Sequence, residues 1–99
     1  MASIQYTLHD IDFEWDEQKA QSNLRKHGVS FETACEVFFD PFLYPLNVET
    51  VAGETREGVV GLTAELWLLQ VVYTWREDAI RLVSARPATA QERASYEGE

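Results

Sequence analysis

Residues 66–75, LWLLQVVYTW, alternate with a period of two: Trp67, Leu69, Val71, Tyr73 and Trp75 fall on one face of a strand, and Leu66, Leu68, Gln70, Val72 and Thr74 on a slightly more polar one. This run predicts a central strand. Upstream, Ile4, Tyr6 and Leu8 precede Ile11, Phe13 and Trp15, the latter set alternating with Asp12 and Glu14, and a short strand is expected over 11–15. The period then changes. Asp16 stands where an N-cap belongs, EQKAQSNLRKH supplies helix formers with Ala20, Leu24 and His27 on one stripe, and Gly28 offers a left-handed stop. Ser30 caps a second helix, FETACEVFFD, with Phe31, Ala34, Val37 and Phe38 on one face. Asp40-Pro41 ends it, because the residue before a proline is pushed out of helical geometry. The two helices form a tight hairpin.

Residues 42–50 and 55–62 read as strands around a turn at Gly53, the first irregular or at an edge because of Pro45. REDA turns the chain after the long strand, IRLVSAR returns, and Thr89-Ala-Gln-Glu92 is a capping box that opens a C-terminal helix. The resulting order, β-α-α-β-β-β-β-α, is an α+β fold: an antiparallel sheet packed with three helices, expected as a single domain over residues 1–99. A 45% hydrophobic share, with three Trp, four Tyr and five Phe, is enough for one core.

Charge complicates any reading in which the protein holds an anion. Seventeen Asp and Glu oppose eight Lys and Arg, a net charge of −9, so the average field repels phosphate and any cationic site must be local. The cations are Lys19 and Lys26 plus six arginines, Arg25, Arg56, Arg76, Arg81, Arg86 and Arg93, a ratio that suits planar, bidentate contacts to phosphate or carboxylate. The one cysteine, Cys35, has no disulfide partner and reads as a small packed hydrophobe in a reducing compartment. No basic n-region with an apolar h-region opens the chain, and no run approaches the ~20 apolar residues of a membrane span, so a cytoplasmic protein without membrane contact is expected.

Three potentially cationic side chains, Arg25, Lys26 and His27, sit directly before Gly28. Cations in a last helical turn interact favourably with the helix dipole by ~0.3–1 kcal/mol, which would account for them without any chemistry. The segments FEWDEQKAQSNLRKHGVSFETACEVFFDP, GETREG, VVYTWREDAIRLVSAR and ATAQERASYE nevertheless carry a second reading. Together they resemble the BrnT family, toxins of type II toxin–antitoxin systems related in fold to the RelE-type ribonucleases. The likeness runs from Phe13 to Glu97.

What the resemblance implies is metal-independent RNA cleavage that stops translation. It also implies a BrnA-type antitoxin partner that masks the toxin, and contact with DNA only through that antitoxin. No cofactor and no metal are implied. Such cleavage requires a base to take the proton of the ribose 2′-OH, cations to steady the extra negative charge, and an acid for the leaving 5′-oxygen. Imidazole titrates near neutral pH in model compounds, so His27 suits the base or the acid, with Lys26 as the alternative base or an electrostatic partner. The resemblance matches Arg56 to the arginine of a GE-x-R segment, and Arg76, Arg81 and Arg86 to a YT-x-R…IR…SAR run. Taken singly, each arginine is as readily a salt bridge to a surplus carboxylate.

Arg81 and Arg86 differ by five positions and would point to opposite faces of an unbroken strand, so both serve one site only if the strand bends near Ser84 or ends before Arg86. Trp75 and Tyr96 suit base stacking or the core, and His9 reads as a surface residue. The last helix is poorer in basic residues than the family pattern, with Arg93 its only cation, which together with the net charge raises an alternative: a catalytically inert member retained to bind antitoxin and regulate the shared promoter. The acidic balance suits a basic antitoxin, expected on an acidic, apolar face around Glu32 and Glu36.

Overall fold

The computed structural model describes residues 2–98. A hairpin opens the chain: β1 (Ser3–Leu8) pairs antiparallel with β2 (Ile11–Asp16), from Ser3 opposite Asp16 to Leu8 opposite Ile11. Ile4, Tyr6 and Leu8 therefore belong to a strand of their own, absent from the expected order. Its two-residue turn, His9-Asp10, has φ values of 50° and 67°. Hairpin turns of this mirror-image kind usually announce themselves with Gly or Asn, and this one carries neither.

Asp16 ends β2 and starts α1 (Glu17–His27), its carboxylate accepting the Lys19 N–H at 3.0 Å. Gly28, at φ 69°, closes the helix by donating its N–H to the Leu24 carbonyl. Ser30 Oγ accepts from the Thr33 N–H at 3.1 Å and starts α2 (Phe31–Cys35), which tightens into a 3-10 turn over Glu36–Phe39 and stops at Asp40. The expected strand over 42–50 is two short ones, β3 (Tyr44–Pro45) and β4 (Glu49–Val51), each antiparallel to β5 (Glu54–Leu62). A meander of β5, β6 (Leu68–Arg76) and β7 (Ala79–Pro87) follows, and α3 (Ala90–Tyr96) closes the fold with both hydrogen bonds of the Thr89–Glu92 capping box formed.

The sheet runs β1-β2-β7-β6-β5-β3, with β4 also on β5. It is mixed and not, as expected, antiparallel throughout: β2 and β7 pair in parallel, Phe13 opposite Ile80 and Glu14 opposite Arg81. The cause is topological. After β2 the helices carry the chain across one face of the sheet, and the meander brings β7 back beside β2 in the same direction, as a crossover connection requires. The core lies under those helices, where Phe13, Trp15, Leu69, Val71, Leu82 and Ala85 of the sheet meet Val29, Phe31, Ala34, Cys35 and Val37. Large apolar side chains of this kind contribute ~1.5–3 kcal/mol each when fully buried. Burial pushes the Cys35 thiol well above its ordinary range, and Glu32 and Glu36 push in the same direction, so this side chain is packing and not a nucleophile.

Parallel pairing of β2 and β7 stops at Arg81, because β2 turns into α1 two residues later. Beyond it the edge of β7 is closed by one side chain. Asn23 of α1, buried beneath the helix, accepts the Ala85 N–H at 3.0 Å, donates to the Ala85 carbonyl at 2.8 Å and donates to the Val29 carbonyl at 3.0 Å. It replaces the missing strand and pins the α1–α2 corner in the same stroke. Substituting Asn23→Ala would strand two buried polar groups of Ala85, each costing ~1–3 kcal/mol. We expect a loss of about 2–4 kcal/mol in urea unfolding, with Leu at position 23 no better; a loss below about 1 kcal/mol would show that water takes over the three bonds.

Candidate active site

Against β6, the register of β7 slips between Val72 and Tyr73: Val72 faces Ser84 and Tyr73 faces Leu82, so Val83 is the extra residue of a bulge. The consequence is a change of parity. Arg81 lies opposite Thr74 and Arg86 opposite Gln70, and since Thr74 and Gln70 share a face of β6, so do the two arginines. That face is the one turned away from α1 and α2. Continuing the β5–β6 register one step beyond Glu57 opposite Tyr73 sets Arg56 against Thr74, on the same face and in the same row as Arg81. Arg76, in the next row out, lies at the end of β6.

Each of these four guanidinium groups has a carboxylate on it. Arg81 meets Glu14 of the neighbouring strand at 2.7 Å, and Arg86 is held at two points by Glu92 of α3, both 2.9 Å. Glu54 takes the other two, Arg56 at 3.5 Å and Arg76 at 3.4 Å. The Glu54 contacts are long and half-exposed, hence weak; the two-point Arg86–Glu92 pair is the stronger kind. Beside Arg56, Gly58 and Gln70 help to line a small cavity of about 170 Å³ on the same face.

His27 is elsewhere. It is exposed at the end of α1 and lines a groove of about 360 Å³ with Val29, Trp67, Leu69, Pro87 and Arg93, between α1 and α3 at the end of β7. Arg86 precedes Pro87 and Glu92 precedes Arg93, so one of the four arginines borders this groove, from the other face of the sheet. Arg56, Arg76 and Arg81 lie toward the opposite end of the strands, five residues of β7 away, or roughly 16 Å. Lys26 is exposed, lines none of these cavities and forms no ion pair among the described residues. The structure thus sets His27 and Arg93 in one groove, puts Arg86 next in sequence to that groove's Pro87 but on the other face of the sheet, and groups Arg56 with Arg81 and Arg76 toward the opposite end of the strands. The period-two run 66–75 put Trp67 on a core face; it precedes β6, and half of it is exposed. Arg93 and Trp67 were legible only as a lone helix cation and a strand residue.

The end of α3 is held by Asp40. Its carboxylate accepts the Tyr96 hydroxyl at 2.6 Å and the Leu62 and Phe42 N–H groups at 2.8 and 2.9 Å. Burial works against its ionisation, but those three hydrogen bonds prevail and hold the carboxyl below its ordinary value. Burial, reinforced by the hydrogen bond and charge of Asp40, pushes the Tyr96 phenol up to about 12. At the other end of α3, the hydrogen bonds from Arg86 hold Glu92 below its ordinary value, opposed by burial and assisted by Thr89. Among the described residues, no three His, Cys, Asp or Glu side chains gather as a metal site would need, and no helix is long and apolar enough to cross a membrane.

Helices over one face of a mixed sheet and a row of carboxylate-paired arginines on the other make this an α+β protein with a candidate anion-holding face. Residues 15–92 match the family described as "Ribonuclease toxin, BrnT, of type II toxin-antitoxin system", and the chain belongs to that family. The solved ribonuclease toxin BrnT of Brucella abortus is similar in structure, with a TM-score of 0.51 at 25% sequence identity, over 76% of this chain and 92% of that one. No curated protein matches the sequence.

Because both Asp40 and Glu92 have folded-state values depressed from 3.8 and 4.5, their stabilisation is complete above the unfolded values and is lost as pH falls through the folded ones. Unfolding midpoints should stay level from neutral pH down to about pH 5 and drop below about pH 4. Asp40→Asn should be less stable at neutral pH and show a shallower drop; parallel pH curves for the variant and the parent would remove Asp40 from the linkage.

Proposed function

We propose that this protein is a metal-independent endoribonuclease of the RelE-like kind, acting in the cytoplasm and neutralised by a BrnA-type antitoxin. The observation that carries the reading is the bulge in β7, which turns Arg81 and Arg86 to one face and so makes a row of guanidinium groups leading to the groove that holds His27. In this reading His27 accepts the 2′-hydroxyl proton as that oxygen bonds to phosphorus. The P–O5′ bond breaks, a solvent proton goes to the departing oxygen, and the products end in a 2′,3′-cyclic phosphate and a 5′-hydroxyl. Arg86 stabilises the charge that develops on the phosphoryl oxygens, while Arg56, Arg76 and Arg81 hold flanking phosphates along the strand. Lys26, exposed and outside the groove lining, is an electrostatic partner and not the base.

RNA cleavage by the purified protein should continue in excess chelator. His27→Ala should slow it by about 100-fold or more while costing no more than ~1 kcal/mol of stability. Arg86→Gln should slow it by about 100- to 1,000-fold, whereas Arg81→Gln should raise KM with little change in kcat. Full cleavage by His27→Ala would return that residue to the role of a helix end-cap.

One observation favours a second reading, an inert member kept to bind antitoxin and regulate the promoter: all four arginines of the sheet face are already neutralised by glutamates. Expressing the chain without its antitoxin separates the two. Arrested growth with cleaved RNA supports the ribonuclease; normal growth and intact RNA at good soluble expression support the inert form.

The antitoxin's position is part of the same proposal. Glu36 borders a groove of about 490 Å³ lined largely by apolar side chains, among them Phe39 and the strongly exposed Phe42 and Leu66. With Glu32 exposed on α2, this is an acidic, apolar face suited to a basic amphipathic segment. Because Glu36 also accepts the Ala64 N–H at 3.0 Å, the cleaner test pairs Glu32→Lys with Phe42→Ser. Raising salt to physiological strength should slow association more than it speeds dissociation, and the double variant should bind antitoxin more weakly with RNA cleavage unchanged. Association indifferent to both would place the antitoxin on another face.

A further inference from the structure

We infer that the groove at the end of α1 is a binding subsite for single-stranded RNA, in which one base stacks on Trp67 and the adjoining phosphate is held by Arg93. This rests on the ribonuclease reading and names two contacts that reading does not contain. Trp67 is 51% exposed although the chain on both sides of it is fixed. Its N–H donates to Thr63 Oγ1 at 3.1 Å, its carbonyl accepts the Thr63 N–H at 2.9 Å, and Thr63 itself is buried. Leu66, just before it, is held in the left-handed region at φ 67°, a conformation that costs free energy for a branched side chain. The loop is therefore rigid and keeps a large aromatic face in water, the arrangement of a prepared stacking platform.

The charges around that indole differ from those on the rest of the molecule. Five ion pairs engage Arg56, Arg76, Arg81, Arg86 and Arg93. The cations in no ion pair among the described residues are Lys19, Arg25 and Lys26, all on α1, and two of them adjoin His27 in its last turn. Arg93 is bound only by Glu97, at 3.7 Å and with both side chains about half-exposed, a contact that a phosphate displaces at little cost. In a chain of net charge −9 the last turn of α1 and Arg93 gather three cations and an imidazole, opposed by Glu65 and Glu97, a balance more favourable to a phosphate backbone than the chain's average. An aromatic face that shares its groove with a loosely held arginine recognises a base and its phosphate together, without needing base-edge hydrogen bonds.

A fluorescein-labelled, fully 2′-O-methylated oligoribonucleotide, which lacks the attacking hydroxyl, tests binding separately from cleavage. By anisotropy, Trp67→Leu should weaken binding about 5- to 100-fold and Trp67→Phe should retain most of it. Arg93→Gln should weaken it and lower the salt slope of log K by about 0.7. The oligonucleotide should also quench tryptophan emission of the parent protein more than that of Trp67→Phe. Urea midpoints of all three variants within experimental error of the parent exclude unfolding as the cause. Equal affinity for Trp67→Leu and the parent, no binding by the parent, or a Trp67 shielded by antitoxin and not by the oligonucleotide would each overturn the subsite. Binding with this pattern but no cleavage of the unmethylated sequence would leave the subsite standing and refute the nuclease chemistry instead.

Discussion

A single side-chain amide does the work of a missing strand. Where β2 leaves the sheet to become α1, the outward N–H and carbonyl of Ala85 would be buried under the helix without a strand partner, and Asn23 meets both while also holding Val29. Everything functional hangs from that contact. It fixes the height of α1 over β7, and with it the position of His27 one turn further on. It also holds the strand just after the bulge at Val83, the irregularity that gives Arg81 and Arg86 a common face. A buried polar residue whose donor and acceptor are both used in this way specifies one geometry, because any sliding of the helix leaves polar groups unmet.

The acidic surplus looks different once the pairs are known. Glu14, Glu54 and Glu92 lie on arginines, Asp40 gathers three donors, Asp16 caps a helix and Glu36 ties down a loop. Much of the negative charge is thus structural and local. The net charge overstates how hostile the sheet face is to phosphate, and understates how much the glutamates limit it: an incoming phosphate on the sheet must displace a closely held carboxylate, whereas in the groove at the end of α1 it displaces only the loose Glu97 contact.

Local signals were the legible part. Asp16, Ser30 and Thr89 each cap the helix their side chains suggest, Gly28 stops α1 at positive φ, and β6 keeps its alternation from Leu69 to Tyr73. Three features escaped for a common reason, that their causes lie far along the chain or in atypical residues. The β1–β2 turn uses His9-Asp10, residues that tolerate positive φ but lack the glycine of the usual turn pair, so only 11–15 of the alternation on its two sides read as a strand. The parallel pairing of β2 with β7 depends on how the crossover closes, which no window of residues encodes. Asn23 read as one more polar residue on a helix, since the carbonyl and N–H that need it belong to Ala85. The six site candidates were nameable, but their division into two groups was not, because it follows from which end of the assembled sheet carries each side chain.

The parallel pair also governs when the molecule can exist. Glu14 and Arg81, joined at 2.7 Å, are 67 residues apart, and the N-terminal hairpin has no other strand to lie against. During synthesis from the N-terminus, the first hairpin and α1 are made long before β7; until that strand emerges Phe13 and Trp15 meet only the aromatic side chains of the N-terminal half, and two of the three Asn23 hydrogen bonds are unmade. Contacts of such long range form late and slow the search for the native state. The sheet therefore closes only when nearly the whole chain has left the ribosome. A chain built this way cannot assemble its row of arginines until β7 has been made, so whatever binds that face meets it only late in translation.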